Sequence, residues 1–123
     1  MCRVLTIAVT AFVALGLVGV GAGALLAPGA SSRQYGIALD DARALAFIRA
    51  MGVRDAVMGA LLLLLAAAGQ RELLAWGLLA SAAVAGVDFA LVSAAGAQPR
   101  ARALHALGGI ALLTAALVVA TRG

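Results

Sequence analysis

Four apolar runs, each bounded by chain-breaking or polar residues, govern what this chain can fold into. The first extends from about Val4 to Ala27 and stops at Pro28-Gly29. The second starts near Asp40-Asp41 and lasts to about Gly69, the third runs from Leu73 to Ala95, and the fourth from about Ala103 to Ala120. Each approaches or exceeds the ~20 residues that a helix needs to cross the hydrocarbon of a bilayer. With 65% hydrophobic and 11% charged residues and a mean hydropathy of +1.13, the chain is far from the ~45–50% apolar and ~25% charged balance of a soluble domain. Lipid offers backbone groups no hydrogen bonds, so apolar runs of this length become helices. The expected fold is all-α, one transmembrane domain over residues 1–123. It is an integral membrane four-helix bundle with helices over about 4–27, 40–69, 73–95 and 103–120. Short connections make its topology up-down-up-down. A secretory leader competes for the first run, because Arg3 precedes it and Gly21-Ala22-Gly23-Ala24 has the small residues of a cleavage site. The run outlasts the ~7–15-residue core of a leader, so a retained helix is expected.

Against this background Arg54 and Asp55 stand side by side in the second run. A charge at the centre of a membrane helix costs at least ~2.5–3.5 kcal/mol on insertion scales, and such residues mark functional sites. An even number of spans places the first and third loops on one face of the membrane. Arg49, Arg54, Asp55, Asp88 and His105 then fall in the same half of the bilayer. At ~1.5 Å of rise per residue, Asp55 and Asp88 lie about 10–16 Å from that face, with His105 nearer the mouth. The spacing predicts a polar cavity open to one side. Arg54, Asp55, Asp88 and His105 are the candidate catalytic residues, and Arg49 and Tyr35 the candidate substrate-binding ones. Tyr35, in the first loop, is a lid residue or an interfacial anchor. Structural readings stand beside these: Arg43 and Arg49 snorkelling to the interface, Arg54 bridging to Asp88, and Asp55 bridging to Arg49 or His105.

Small residues dominate all four runs, and in lipid close backbone approach supplies the helix packing that the hydrophobic effect does not. Gly52, Ala56 and Gly59 fall at helical spacing and predict a smooth packing seam with Asp55 on its edge. Gly108-Gly109 predicts a second close approach. The net charge of +4 comes from arginine alone, since the chain has no lysine. These arginines are scattered rather than clustered on an exposed face, which excludes nucleic acid as a partner. Cys2 is the single cysteine, so neither an intrachain disulfide nor a cysteine-based metal site is expected, and its thiol reads as inert. No phosphate loop, dinucleotide fingerprint or nucleophile elbow occurs, so no cofactor is expected, and one histidine with two aspartates on different helices offers no i, i+3 or i, i+4 ligand pair, so no metal is expected. The first run lacks the carboxylate that a small four-helix multidrug exporter carries.

The segment Arg49-Ala50-Met51-Gly52-Val53-Arg54-Asp55, followed by Gly59, resembles a small family of four-helix integral membrane proteins grouped as a domain of unknown function. The second helix of that family carries a similar Arg-x-x-Gly-x-Arg-Asp-x-x-x-Gly run. More distantly the architecture looks like that of the DoxX-like membrane proteins. The resemblance implies the four-helix fold and the importance of Arg49, Gly52, Arg54, Asp55 and Gly59, and it implies no substrate.

Three functions fit these residues. One is acid/base chemistry on a lipophilic substrate, such as isomerisation, cyclisation or epoxide opening, with a carboxylate as the proton-transfer group and Arg54 as the orienting cation. Another is a proton-linked transporter or lipid-binding protein, for which a pathway across the bilayer calls for a homo-oligomer. A third is a non-catalytic accessory subunit that docks a larger partner through its glycine faces. The expected partners are membrane lipids and a lipophilic small molecule, and the expected location is the plasma membrane of a bacterium as a multi-pass protein. Arg33, Arg43, Arg100 and Arg102 outnumber Arg3, Arg71 and Arg122 on the opposite face by one, which favours a cavity mouth in the cytoplasm and leaves the orientation open.

Overall fold

The computed structural model describes residues 2–122, and the side chains of residues 4–121. The Cys2 thiol and the side chains of Arg3 and Arg122 lie outside the described set. Five helices follow one another: α1 (Cys2–Leu26), α2 (Pro28–Tyr35), α3 (Ala42–Ala67), α4 (Arg71–Ala94) and α5 (Pro99–Arg122). There is no strand among the described residues. The four long helices each contain a stretch apolar enough to cross a membrane, and their outward faces carry exposed Phe12, Leu15, Phe47, Val57, Trp76, Leu107 and Leu117. Such a coat of large apolar side chains suits lipid as the surrounding solvent. The chain is a multi-pass membrane bundle.

The caps explain where each helix begins and ends. Asp41 accepts a hydrogen bond on its carboxylate from the Ala44 amide at 2.9 Å, satisfying a free amide at the start of α3. Pro28 was expected to close the first helix and leave a loop. It also opens α2, because its fixed φ and missing N–H suit the first turn of a helix. The first loop therefore contains a two-turn helix that the apolar pattern did not reveal. That helix ends at Gly36 with φ 110°, while the Ile37 amide reaches back to the Ser32 carbonyl at 3.1 Å. At the other end of the bundle, the Arg71 guanidinium donates to the Val119 and Ala120 carbonyls at 2.8 and 2.6 Å. It thus satisfies carbonyls that the last turn of α5 leaves free.

The long helices form a ring in which α1 packs most extensively along α3 and α4 along α5, with lighter contacts joining α1 to α5 and α3 to α4. The α1–α3 contact is made by glycine. A Cβ on Gly52 would lie 2.7 Å from the Gly21 carbonyl oxygen, and one on Gly59 would lie 2.5 Å from that of Ala14. The seam expected from Gly52 and Gly59 faces α1, and Gly21, set in the small-residue stretch that also read as a cleavage site, is its counterpart. Gly108 behaves otherwise: nothing lies within 4 Å of its added Cβ. It borders open space rather than a close helix approach, a correction to the expectation for Gly108-Gly109.

The buried apolar core, with Val13, Ala14, Leu62, Leu74, Leu78, Leu112 and Val119, fills the half of the ring toward the α3–α4 turn. In the other half a small cluster of Val92, Ala97 and Ala101 receives Tyr35 and Ile37 from the first loop. That contact puts the first and third loops at the same end. Between the two clusters the ring is not filled.

Candidate functional site

The unfilled part of the ring is a pocket of about 440 Å³. Every helix contributes to its wall: Leu17 and Val20 from α1, Ser31, Gln34 and Tyr35 from α2, Ile48, Met51, Arg54, Asp55 and Met58 from α3. From α4 come Ser81, Val84, Ala85 and Asp88, and from α5 Leu104, His105, Gly108 and Leu112. Met51, Arg54, Asp55 and Met58 share one side of α3 because residues three, four and seven apart fall on one face. Their position follows from the seam beside them, since Gly52 and Gly59 fix which face of α3 meets α1. Most of the remaining wall is apolar, so the charges gather at one place in an otherwise greasy hollow.

That place is a chain of hydrogen bonds across three helices. Arg54 Nε donates to Asp55 Oδ1 at 2.9 Å, and Arg54 Nη2 donates to Asp88 Oδ2 at 3.2 Å. The Tyr35 hydroxyl donates to Asp88 Oδ1 at 2.9 Å. Asp88, buried on α4, therefore has both oxygens occupied. Asp55 has one, and its Oδ2 has no partner among the described residues. The Arg54 side chain is 36% exposed against 16% for Asp55 and 13% for Asp88, so the arginine reaches the open part of the pocket from a buried anchor. The alternative pairing of Asp55 with Arg49 or His105 is not formed. The long Arg54 side chain folds back onto its neighbour, and Arg49 faces outward.

Tyr35 lines the pocket from the end of α2. Its ring meets His105 edge-on, with centroids 4.7 Å apart and planes at 78°. The His105 Nε2 lies 2.9 Å from the Tyr35 carbonyl oxygen. A carbonyl only accepts, so Nε2 carries a proton and donates it to this carbonyl. Burial, and then the adjacent Asp88 carboxylate, hold the Tyr35 phenol well above its ordinary range, which keeps it a donor. The α2 helix is tied to the chain that follows it by Ser32, fully buried, whose hydroxyl donates to the Gly29 carbonyl at 2.8 Å and accepts from the Leu39 amide at 3.2 Å.

Of the residues singled out from the sequence, the structure brings Tyr35, Arg54, Asp55, Asp88 and His105 to one pocket. It places Gly52 and Gly59 in the α1–α3 seam behind it, and it leaves Arg49 exposed and outside the lining. Ser31, Gln34 and Met58 were missed. Met58 was legible, being four residues from Arg54 and three from Asp55 on the same helix. The α2 residues were not, since nothing apolar or periodic marks that helix. No group of three His, Cys, Asp or Glu side chains is placed to hold a metal among the described residues.

A four-span helical membrane protein with an arginine–aspartate–tyrosine cluster inside its ring is the class these features define. The chain belongs to the family described as Domain of unknown function (DUF4267), whose model matches residues 14–119, from the middle of α1 almost to the end of α5. No curated protein and no solved structure matches the chain.

Proposed function

We propose that the chain is a membrane-embedded binding protein for a lipophilic small molecule, whose polar head meets Arg54 and Asp55 while its body lies against the apolar walls. The observation that carries this reading is the unequal use of the two aspartates. Asp88 spends both oxygens on Tyr35 and Arg54, whereas Asp55 keeps Oδ2 free beside a 440 Å³ pocket. A bridge that served only to fix helix register would gain by engaging both carboxylates fully, whereas Asp55 leaves one oxygen accessible at the pocket. The free oxygen suits a ligand or a proton. Arg54 holds the Asp55 carboxylate in place through Oδ1, and Asp55 and His105 are two groups at the pocket able to exchange protons, so the same groups suit acid/base conversion of the bound molecule.

Two rival readings have less support. A transport path meets the buried Val13, Leu62, Leu78 and Leu112 between the pocket and the opposite end. Docking of a larger partner through the glycine faces competes with α1, which already covers Gly52 and Gly59. Native mass spectrometry of the protein in mild detergent tests the binding reading. A specific small molecule or lipid is expected on the wild type and absent from Asp55→Asn, with the variant still folded. An empty wild type, or occupancy indifferent to Asp55, overturns it.

A further inference from the structure

We infer that the pocket takes a lipophilic cation, an amine or quaternary ammonium on an apolar body, and that this cation exchanges with a proton at Asp55. The inference rests on the reading of the pocket as a ligand site and names the class of ligand. It starts from a count of charge. The ionisable groups lining the pocket are Arg54 and Asp55 on α3, Asp88 on α4, Tyr35 on α2 and His105 on α5, while α1 contributes none. Tyr35 is a neutral phenol. One arginine offsets one of the two carboxylates, and His105 bonds the Tyr35 carbonyl rather than either of them, so the two carboxylates share a single hydrogen-bonded cation and one formal negative charge is left over between them.

Hydrogen bonding says where that charge resides. Asp88 is engaged on both oxygens, and Asp55 Oδ1 accepts from Arg54. Of the four carboxylate oxygens of Asp55 and Asp88, Asp55 Oδ2 is the one with no partner among the described residues, and Asp55 lines the pocket. An uncompensated carboxylate at membrane depth is unstable, so a positive partner must join it. A proton is one such partner and a cationic head group is the other. Arg54 cannot also serve an anion well, because both carboxylates sit against its guanidinium and would repel that anion. A neutral head leaves the excess charge as it was. The wall around Asp55 fits the apolar body of an ammonium ion: Val20, Ile48 and Leu104 are aliphatic, and Met51 and Met58 supply soft, adaptable side chains. Binding then balances simply, since a cation enters and one proton leaves Asp55.

The test uses the wild type in phosphatidylcholine nanodiscs, with empty discs as the baseline, titrated with dodecyltrimethylammonium, dodecanol and dodecanoate. These share a tail and differ in head-group charge. The ammonium is expected to bind about tenfold more tightly than the alcohol, which is a single step of the affinity scale, and dodecanoate least well. In weakly buffered solution below the Asp55 midpoint, each cation bound releases a proton, and cation affinity rises about tenfold per pH unit there. Asp55→Asn is expected to lose the charge preference and the pH dependence, and Asp55→Glu to keep both. Equal affinity for the three heads, or a preference for dodecanoate, overturns the cation class and leaves the ligand site standing. No binding above empty discs overturns the site and the class together. The head-group ranking is read in the wild type, so it does not depend on any variant folding.

Discussion

Tyr35 is where the site can be interrogated one group at a time, because it is the only tyrosine in the chain. Its hydroxyl donates to a buried aspartate, and burial followed by the Asp88 charge raises its titration above the ordinary range. Ultraviolet absorbance of the phenolate therefore reports this hydrogen bond with no competing signal. The midpoint is expected well above the ~10 of a free phenol, and lower in Asp88→Asn, where the neighbouring charge is removed. A wild-type midpoint near the free value would mean that Tyr35 does not bond Asp88. The linkage has a definite sign. A pKa raised on folding contributes stability that is complete below the unfolded value, near pH ~10, and is lost as pH rises through the folded one. Stability should thus be flat in this respect through neutral pH and fall only in alkali, and Tyr35→Phe should lack that alkaline fall. The pairing behind this was only partly legible. Arg54 with Asp88 was foreseen as one option from their depth in the bilayer, but depth says nothing of direction around a helix axis. That is why a bridge from Asp55 to Arg49 or His105 was one option, although Asp55 pairs with Arg54 and Arg49 lies outside the pocket lining.

At the scale of helices, hydropathy and breakers sufficed for the four spans, because lipid leaves the backbone no alternative to a helix. They failed for α2, which is short and polar and begins at a proline that reads equally well as a stop. The observed helix ends also pass the apolar runs: α5 starts at Pro99 and α4 at Arg71, since first turns tolerate polar residues at the membrane edge. Glycine tells the same story. Gly52, Gly59, Gly108 and Gly109 look alike in sequence, yet the room around them differs. An added methyl at Gly52 or Gly59 meets backbone atoms of α1 at 2.7 and 2.5 Å, and at Gly108 it meets nothing within 4 Å. Gly52→Ala and Gly59→Ala are expected to destabilise the bundle by about 1–3 kcal/mol through overpacking against an unyielding backbone. Gly108→Ala is expected to be neutral or to gain up to ~1 kcal/mol from helix propensity. Unfolding in a graded mixture of mild and denaturing detergent measures all three. Equal effects at Gly59 and Gly108 would contradict the packing of α1 on α3.

Seen whole, the molecule has one end that holds the pocket's mouth and another that holds the apolar core, so its orientation in the membrane decides which compartment supplies the ligand. The mouth end displays Arg33, Arg43, Arg100 and Arg102, all exposed. On the opposite end the Arg71 guanidinium is bound to the carbonyls closing α5. Loops rich in arginine favour the cytoplasm, so α2, Tyr35 and the pocket's mouth are expected on the cytoplasmic side. Single cysteines at Ala38, Gln70 and Gln98, all exposed positions, introduced after replacing Cys2 with serine, test both the orientation and the topology. An impermeant maleimide applied to intact cells should label position 70 and spare positions 38 and 98 until the membrane is permeabilised. Reversal of all three would refute the orientation while preserving the bundle. Positions 38 and 98 on opposite sides would refute the bundle itself, because Tyr35 and Ile37 then could not reach Val92 and Ala101. The expected result carries a consequence for the ligand: a membrane potential negative inside draws lipophilic cations toward the cytoplasmic face, with ~2.3 kcal/mol per charge for each 100 mV. The pocket would then open where such molecules collect.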